Sequence, residues 1–219
     1  MHLRLKTIMF TKVFEQPTRI DDEMQLRKLF GTDRLSLEAF ASIVFEGAIE
    51  LGSEIVFSGD CRLGGGASVE NGCILTNIDL GTENKVRHYS ILSNVKSGSC
   101  NLFGPFCFIR DECIVGDNCI LGTHVETARS VFASGVKISH HAFVGDAIIG
   151  ERTIIGAGVV FCNYDGSERQ TTWVGSDVIL GSGVLLVAPV SIGDYSVVAA
   201  GSTVTKDVPS RSKIIQRRH

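Results

Sequence analysis

The chain is poor in proline (4 of its 219 residues), tryptophan (1) and tyrosine (3), and it contains no long uninterrupted apolar run. The last shortage argues against a hydrophobic membrane-spanning helix. No charge sign predominates: 21 Lys and Arg stand against 24 Asp and Glu, a net charge of -3, which gives no electrostatic reason for nucleic acid or an anionic membrane as partner. The opening residues Met1 to Lys6 lack the apolar core and small-residue cleavage site of a secretion signal, so a cytoplasmic location is expected. Cysteine pairs at CxxC spacing are missing, and the seven cysteines are an odd number; reduced thiols are expected, without a disulfide framework or a metal.

Glycine is abundant, with 24 residues. So much glycine weakens ordinary helices and strands unless tight turns recur at fixed intervals, which points to a repeat. From Leu51 the apolar residues fall every six positions: Leu51, Phe57, Leu63, Val69, Leu75. Four residues after each comes a smaller side chain, as at Ile55, Cys61, Ala67 and Cys73. A period of six suits neither an amphipathic helix nor hairpin strands, but it suits a short strand followed by a turn, three of which close one coil of a triangular prism. The phase slips by one at Leu80, runs through Val86 and Leu92, and returns after an irregular stretch at Phe103, Ile109, Val115 and Leu121. It slips again to Phe132, Ile138 and Val144, then to Ile149, Ile155 and Phe161, and ends in a clean run from Val174 to Val204.

The expected fold is therefore all-β, a left-handed parallel β-helix of hexapeptide repeats over residues 47–208, with a C-terminal tail at 209–219. Residues 1–46 read differently. Asp21 to Phe30 and Ser36 to Phe45 have helical spacing, with Asp21 and Ser36 as N-caps and Gly31 as a stop. They are expected to form a helical cap over the first coil, or a linker or trimer-stabilising element.

Three features carry chemistry. Between Phe161 and Val174 the spacing grows to thirteen, so the segment from Cys162 to Gln170 leaves the prism as a loop, and solenoids place insertions mainly on a working face. His140 and His141 form the only histidine pair. Three repeats per coil then stack Thr123, His140, Ala157, Ser182 and Ala200 in one column, a span of roughly 14 Å from His140 to Ala200 at the usual strand spacing. Small side chains beneath a histidine leave a shallow groove for a thin chain such as a pantetheine arm, and imidazole is suited to taking a proton from an amine or hydroxyl near neutral pH. By contrast Cys61, Cys73, Cys107, Cys113 and Cys119 fall four after an anchor, where small buried side chains are wanted, and read as core.

From Ile43 to Arg217 the sequence resembles the C-terminal acetyltransferase domain of the bifunctional bacterial enzyme that makes UDP-N-acetylglucosamine. The segments that carry the likeness are Gly104-Pro105-Phe106 with Arg110, Val144-Gly145-Asp146-Ala147, Cys162-Asn163-Tyr164-Asp165-Gly166, Leu186-Val187-Ala188-Pro189-Val190, and Ala199 to Val208. The resemblance implies a homotrimer with sites between subunits, acetyl-CoA as acyl donor, and an acceptor like glucosamine 1-phosphate. It implies His140 as catalytic base; Arg110, Glu126 and Arg169 at the acceptor; and Ala157, Asn163, Tyr164, Ser182, Ala200 and Arg217 near the donor. The chain departs from the family at three acceptor positions, with Ala128 in place of a lysine, Phe143 of a tyrosine and Ile154 of an asparagine; Arg129 stands beside Ala128 as a substitute cation. The family's N-terminal uridyltransferase domain is not expected, because the first fifty residues hold no glycine-rich nucleotide loop. A non-catalytic CoA- or sugar-binding relative, and an acyltransferase for a nucleotide-linked amino sugar, are the competing readings.

Overall fold

The computed structural model describes residues 9–216. Over most of that length the chain is a left-handed parallel β-helix of about ten turns. Each coil has three short walls whose backbone groups bond to the coils above and below, as Gly52 N does to Val69 O at 2.7 Å and Gly64 N to Leu80 O at 2.9 Å. Inward residues stack along each wall in register. Leu51, Val69 and Val86 line the first wall, Phe57, Leu75 and Leu92 the second, and Phe45, Leu63 and Leu80 the third. All nine are buried, so the six-residue phase is the core.

The slips in phase all fall at one corner. Inward residues are six apart between first and second walls in every coil, from Leu51 and Phe57 to Val198 and Val204, and likewise between third and first walls. Between second and third walls the interval is six at Phe57 to Leu63, five at Leu75 to Leu80 and Leu92 to Ser97, and six at Ile109 to Val115. It is five again at Thr127 to Phe132 and Val144 to Ile149, then thirteen at Phe161 to Val174. The stretch before Phe103 that looks irregular in sequence keeps the register: the strand Ile91–Ser97 bends at Asn94 (φ 55°) and buries Val95. Its anchor position holds Ser97, and the next coil but one holds the buried Thr127, so polar residues hide the phase.

The N-terminal segment is only partly helical. Strand β1 (Phe10–Ile20) precedes helix α1 (Glu23–Phe30), whose N-cap is Asp22, one residue later than expected: its carboxylate accepts from Met24 N at 2.8 Å, while Asp21 pairs with Arg19. Gly31 ends the helix in the left-handed conformation (φ 69°). The second expected helix, Ser36 to Phe45, does not form. Those residues fall in strands β2 (Leu35–Leu37) and β3 (Ser42–Leu51), which pair in parallel with the following coil at Leu35 with Ile55 and Ile43 with Cys61. Leu35, Leu37, Ile43 and Phe45 alternate inward, and the ladder they join outweighs local helical preference. The solenoid register thus begins at Leu35, ahead of residue 47. Strand β1 runs antiparallel on β3, and Phe14, Phe30, Phe45 and Phe57 form a ring cluster with centroids 5.2–6.4 Å apart that closes the upper end. No described helix is long and apolar enough to cross a membrane.

Candidate functional site

The expected residues among those described lie on two corners of the prism and on the second wall between them. At the corner between first and second walls, Thr123 pairs directly with His140. The register then carries Ala157, Ser182 and Ala200 beneath it, through Ile138 on Ile155, Ile155 on Leu180 and Leu180 on Val198. The column derived from repeat arithmetic is therefore the observed one. His140 is exposed, and its side chain has no hydrogen-bond partner among the described residues.

Below His140 this corner is bare. The positions after Ala157, Ser182 and Ala200 are Gly158, Gly183 and Gly201, with φ of 73°, 69° and 71°, a region that L side chains enter only at a cost of roughly 1–2 kcal/mol. A Cβ added at any of the three would meet nothing closer than 3.7 Å, so steric room is left over the backbone for three coils. Above His140 the same positions carry rings. Tyr89, Phe106 and His124 stack with successive centroids 5.5 and 5.5 Å apart and His141 follows at 4.8 Å with its ring tilted, so the ring column ends where the glycine track starts.

The corner between second and third walls holds a ladder of charge. Arg110 donates to Glu126 (Nη2 to Oε1, 2.9 Å) and to Asp111. Arg129 donates to Asp111 at 2.8 Å and to both oxygens of Asp146 at 2.7 and 3.1 Å. Asn163 donates its amide to the same Asp146 carboxylate, and the exposed Arg169 stands 4.0 Å from it. Burial pushes the Asp146 carboxyl up, but the hydrogen bonds from Arg129 and Asn163 outweigh it and hold the group below the ordinary carboxylate range. Asp111, Arg129, Asp146 and Asn163 stand two residues past successive second-wall anchors and are vertical neighbours, while Arg110 and Glu126 lie beside the anchors Ile109 and Thr127 on the second wall itself. Sequence reasoning found Arg110, Glu126, Asn163 and Arg169 but missed Asp111 and Asp146 as partners. The missing signal was the Thr127 anchor, which sets the phase of this column.

From this corner the loop at 163–171 leaves as a small hairpin, with Tyr164 bridged to Arg169. Asp165 fastens it, accepting from Ser167 N and Glu168 N at 2.9 Å each and from Gln170 at 3.0 Å, which drives its carboxyl well below the usual range. Tyr164 is exposed and donates to Gly166 O at 2.9 Å. Of the three departures, Ala128 is buried and Phe143 lies across Gly145, where an added Cβ would come within 2.9 Å of its ring. Ile154 is exposed on the first wall, between Lys137 and Ile179, away from the other two. Arg217 falls outside the described residues.

The five expected core cysteines are buried, and burial pushes the thiols of Cys73 and Cys107 up to about 11 and about 12. Among the described residues no cluster of His, Cys, Asp or Glu could hold a metal.

The six-residue phase, the three-walled coil and the corner insertion define a hexapeptide-repeat, left-handed β-helix protein. More narrowly, the chain belongs to the family described as the GMPPB C-terminal domain, whose model matches residues 97–215. It is similar to the "Bifunctional protein GlmU" of Sorangium cellulosum (strain So ce56), 36% identical over 193 residues, covering 88% of this chain and 41% of that protein. It is also similar to the "Bifunctional protein GlmU" of Pelobacter propionicus, 38% identical over 160 residues, 73% of this chain and 35% of that one. The chain thus spans about two fifths or less of the length of these relatives. The solved polySia-specific acetyltransferase NeuO overlaps at a TM-score of 0.36 and 21% identity, covering 86% of this chain and 91% of that one.

Proposed function

We propose that the chain is an N-acetyltransferase that moves the acetyl group of acetyl-CoA to the amine of an amino sugar or sugar phosphate of the glucosamine 1-phosphate type, with His140 as general base. The observation that carries this reading is the first–second corner: an exposed imidazole heads a three-coil track of Ala157-Gly158, Ser182-Gly183 and Ala200-Gly201 whose glycines leave open space over the backbone, and a thin pantetheine arm is the kind of chain such a track suits. In the reaction the amine nitrogen attacks the thioester carbonyl and His140 takes the N–H proton. Collapse of the tetrahedral intermediate breaks the C–S bond, and the proton passes to the departing sulfur, leaving an amide and the CoA thiol. The second wall supplies the acceptor groups Arg110 and Glu126, and the hairpin at the second–third corner supplies Arg169.

A homotrimer belongs to the same proposal. The donor residues divide between corners: Ala157, Ser182 and Ala200 on one, Asn163 and Tyr164 on the next, separated by a wall six residues wide, about 20 Å of extended chain at most. A neighbouring copy that sets its hairpin against the glycine track brings both groups to one donor. Mixing His140→Ala subunits with Asn163→Ala subunits then restores part of the activity that each variant lacks alone, and sedimentation reports three chains.

The test of the chemistry is release of free thiol from acetyl-CoA in the presence of a panel of amino sugars. Turnover that His140→Ala abolishes while acetyl-CoA binding persists supports the reading; turnover unchanged in that variant refutes it. The competing reading, a non-catalytic binding relative, is favoured by the charge ladder, where Arg110 and Arg129 are already met by Asp111, Glu126 and Asp146, and by Ala128 and Phe143. It predicts CoA or sugar binding with no thiol release against any acceptor. A nucleotide-linked amino sugar in the panel distinguishes the third reading.

A further inference from the structure

We propose that the chain carries a second ligand site, for a small hydroxylated zwitterion of the amino-sugar phosphate class, in a recess of the second–third corner on the N-terminal side of the charge ladder. The site follows from the stepped length of that corner. Two successive coils cut it short, at Asn77 and Asn94, and the next coil restores the sixth residue. The restored residue is accommodated by two consecutive left-handed positions, Asp111 (φ 58°) and Glu112 (φ 64°), which make an overhang beside the recessed turns. A cavity of about 410 Å³ opens at that step, lined by Asn77, Asn94, Lys96, Glu112, Cys113 and Ile114. Ligand sites of small-molecule size are commonly clefts with a few convergent polar groups, and this volume lies within their range.

The same stepping makes the recess of Arg129 and Asp146, two short corners between the Asp111–Glu112 overhang and the 163–171 hairpin. The contents differ. There, opposite charges are spent on one another; here Lys96 and Glu112 make no ion pair among the described residues, although they line one cavity. Asp79, the carboxylate beside Lys96 on the third wall, is taken by Arg62 at 2.9 Å. Asn77 is engaged on both sides, accepting from Asp60 N at 3.1 Å and donating to Asn94 Oδ1 at 3.1 Å. That leaves Asn94 held from above, its own amide donating only weakly to Ser93 at 3.4 Å. The recess therefore offers one free ammonium, one free carboxylate, an oriented carboxamide and the apolar side of Ile114.

A ligand that meets all four carries an anionic group for Lys96, a cationic group for Glu112, hydroxyls for Asn94 and a C–H face for Ile114. A neutral sugar leaves Lys96 and Glu112 unmatched. A free amino acid matches both charges but leaves the carboxamide and the apolar side unused. An amino-sugar phosphate satisfies the set. None of these residues belongs to the proposed donor or acceptor groups, so the site stands apart from the acyl-transfer reading.

The experiment titrates the wild-type protein with glucosamine 6-phosphate, glucose 6-phosphate and glutamine in turn, following the Asn77 and Asn94 side-chain amide signals by NMR. The expected result is saturable shifts at both amides with glucosamine 6-phosphate, a Kd raised by roughly tenfold or more in Lys96→Ala and in Glu112→Gln, and weaker binding of the other two probes. Both substitutions are at exposed positions, and unchanged thermal unfolding checks that the variants are folded. Absence of shifts at both amides, or a Kd unmoved in both variants, overturns the proposal. Glutamine binding more tightly than the sugar phosphate overturns the ligand class.

Discussion

The Arg129 guanidinium closes a two-point pair on the Asp146 carboxylate one coil below it, Nε to Oδ1 at 2.7 Å and Nη2 to Oδ2 at 3.1 Å. Because Asp146 is largely shielded and also holds Asn163 at the root of the hairpin, this pair ties the charge ladder to the inserted loop. Asp146→Asn removes the charge while keeping the shape, and should destabilise the fold by about 1–3 kcal/mol. The pH dependence has a definite sign. Asp146 has a lowered pKa in the folded chain, so its stabilisation is present above the ordinary carboxylate pKa and is lost as pH falls through the lowered folded value. Denaturant titrations between neutral and acidic pH should show a smaller acid-induced loss of stability in the variant than in the wild type.

The glycine track gives a steric prediction, resting on the proposed donor. Ala200 is exposed, and Ala200→Trp places an indole on the track without entering the core. Acetyl-CoA KM should rise by about tenfold or more with kcat little changed, since binding common to ground and transition states is what is lost. Thermal unfolding should stay where it is. An unchanged KM removes the track as the donor path.

How much of this was legible beforehand divides by residue. The anchors from Leu51 to Val204 could be read because apolar side chains mark the wall positions, and the His140 to Ala200 column followed by counting. Ser97 and Thr127 are anchors too, but polar ones, and without Thr127 the vertical neighbours Asp111, Arg129 and Asp146 stay hidden 17 or 18 residues apart. Ser36 to Phe45 was misread because its apolar spacing also fits a helix, and only the coil beneath it, absent from any local window, decides for strands. The antiparallel seat of β1 gave no clean alternation, since a register shift falls between Phe14 and Thr18.

The thiols should separate into classes under a thiol-specific reagent in the native state. Cys100 is exposed and should react first, and the half-buried Cys162 more slowly. Cys107, buried and with its pKa pushed up to about 12, should react only on unfolding. Mass spectrometry of timed, quenched samples checks the order; early labelling of Cys107 would contradict its place in the core.

The N-terminal closure should be locally fragile and globally important. Asp22→Ala should cost about 1 kcal/mol, the usual value of an N-cap. Phe45→Ala, which empties the centre of the ring cluster, should cost about 3–5 kcal/mol. Equilibrium unfolding of the two variants measures the contrast, and similar small losses in both would deny the cluster its role in sealing the upper end.

Insertions should discriminate sharply between corners. One glycine placed between Arg129 and Ser130 only restores an interval that the coil of Ile109 already uses, whereas one placed between His140 and His141 breaks an interval kept at six in every coil. The first variant should remain folded with a modest drop in Tm; the second should lose the cooperative transition, because a one-residue slip turns the next wall inside out.

With two edges of the prism held to a fixed count and the third free to shorten, lengthen or sprout a hairpin, the molecule confines its tolerance for insertion and deletion to a single seam. Whatever that seam binds can be refashioned in evolution or in the laboratory one residue at a time, while the interior keeps the same stacking throughout.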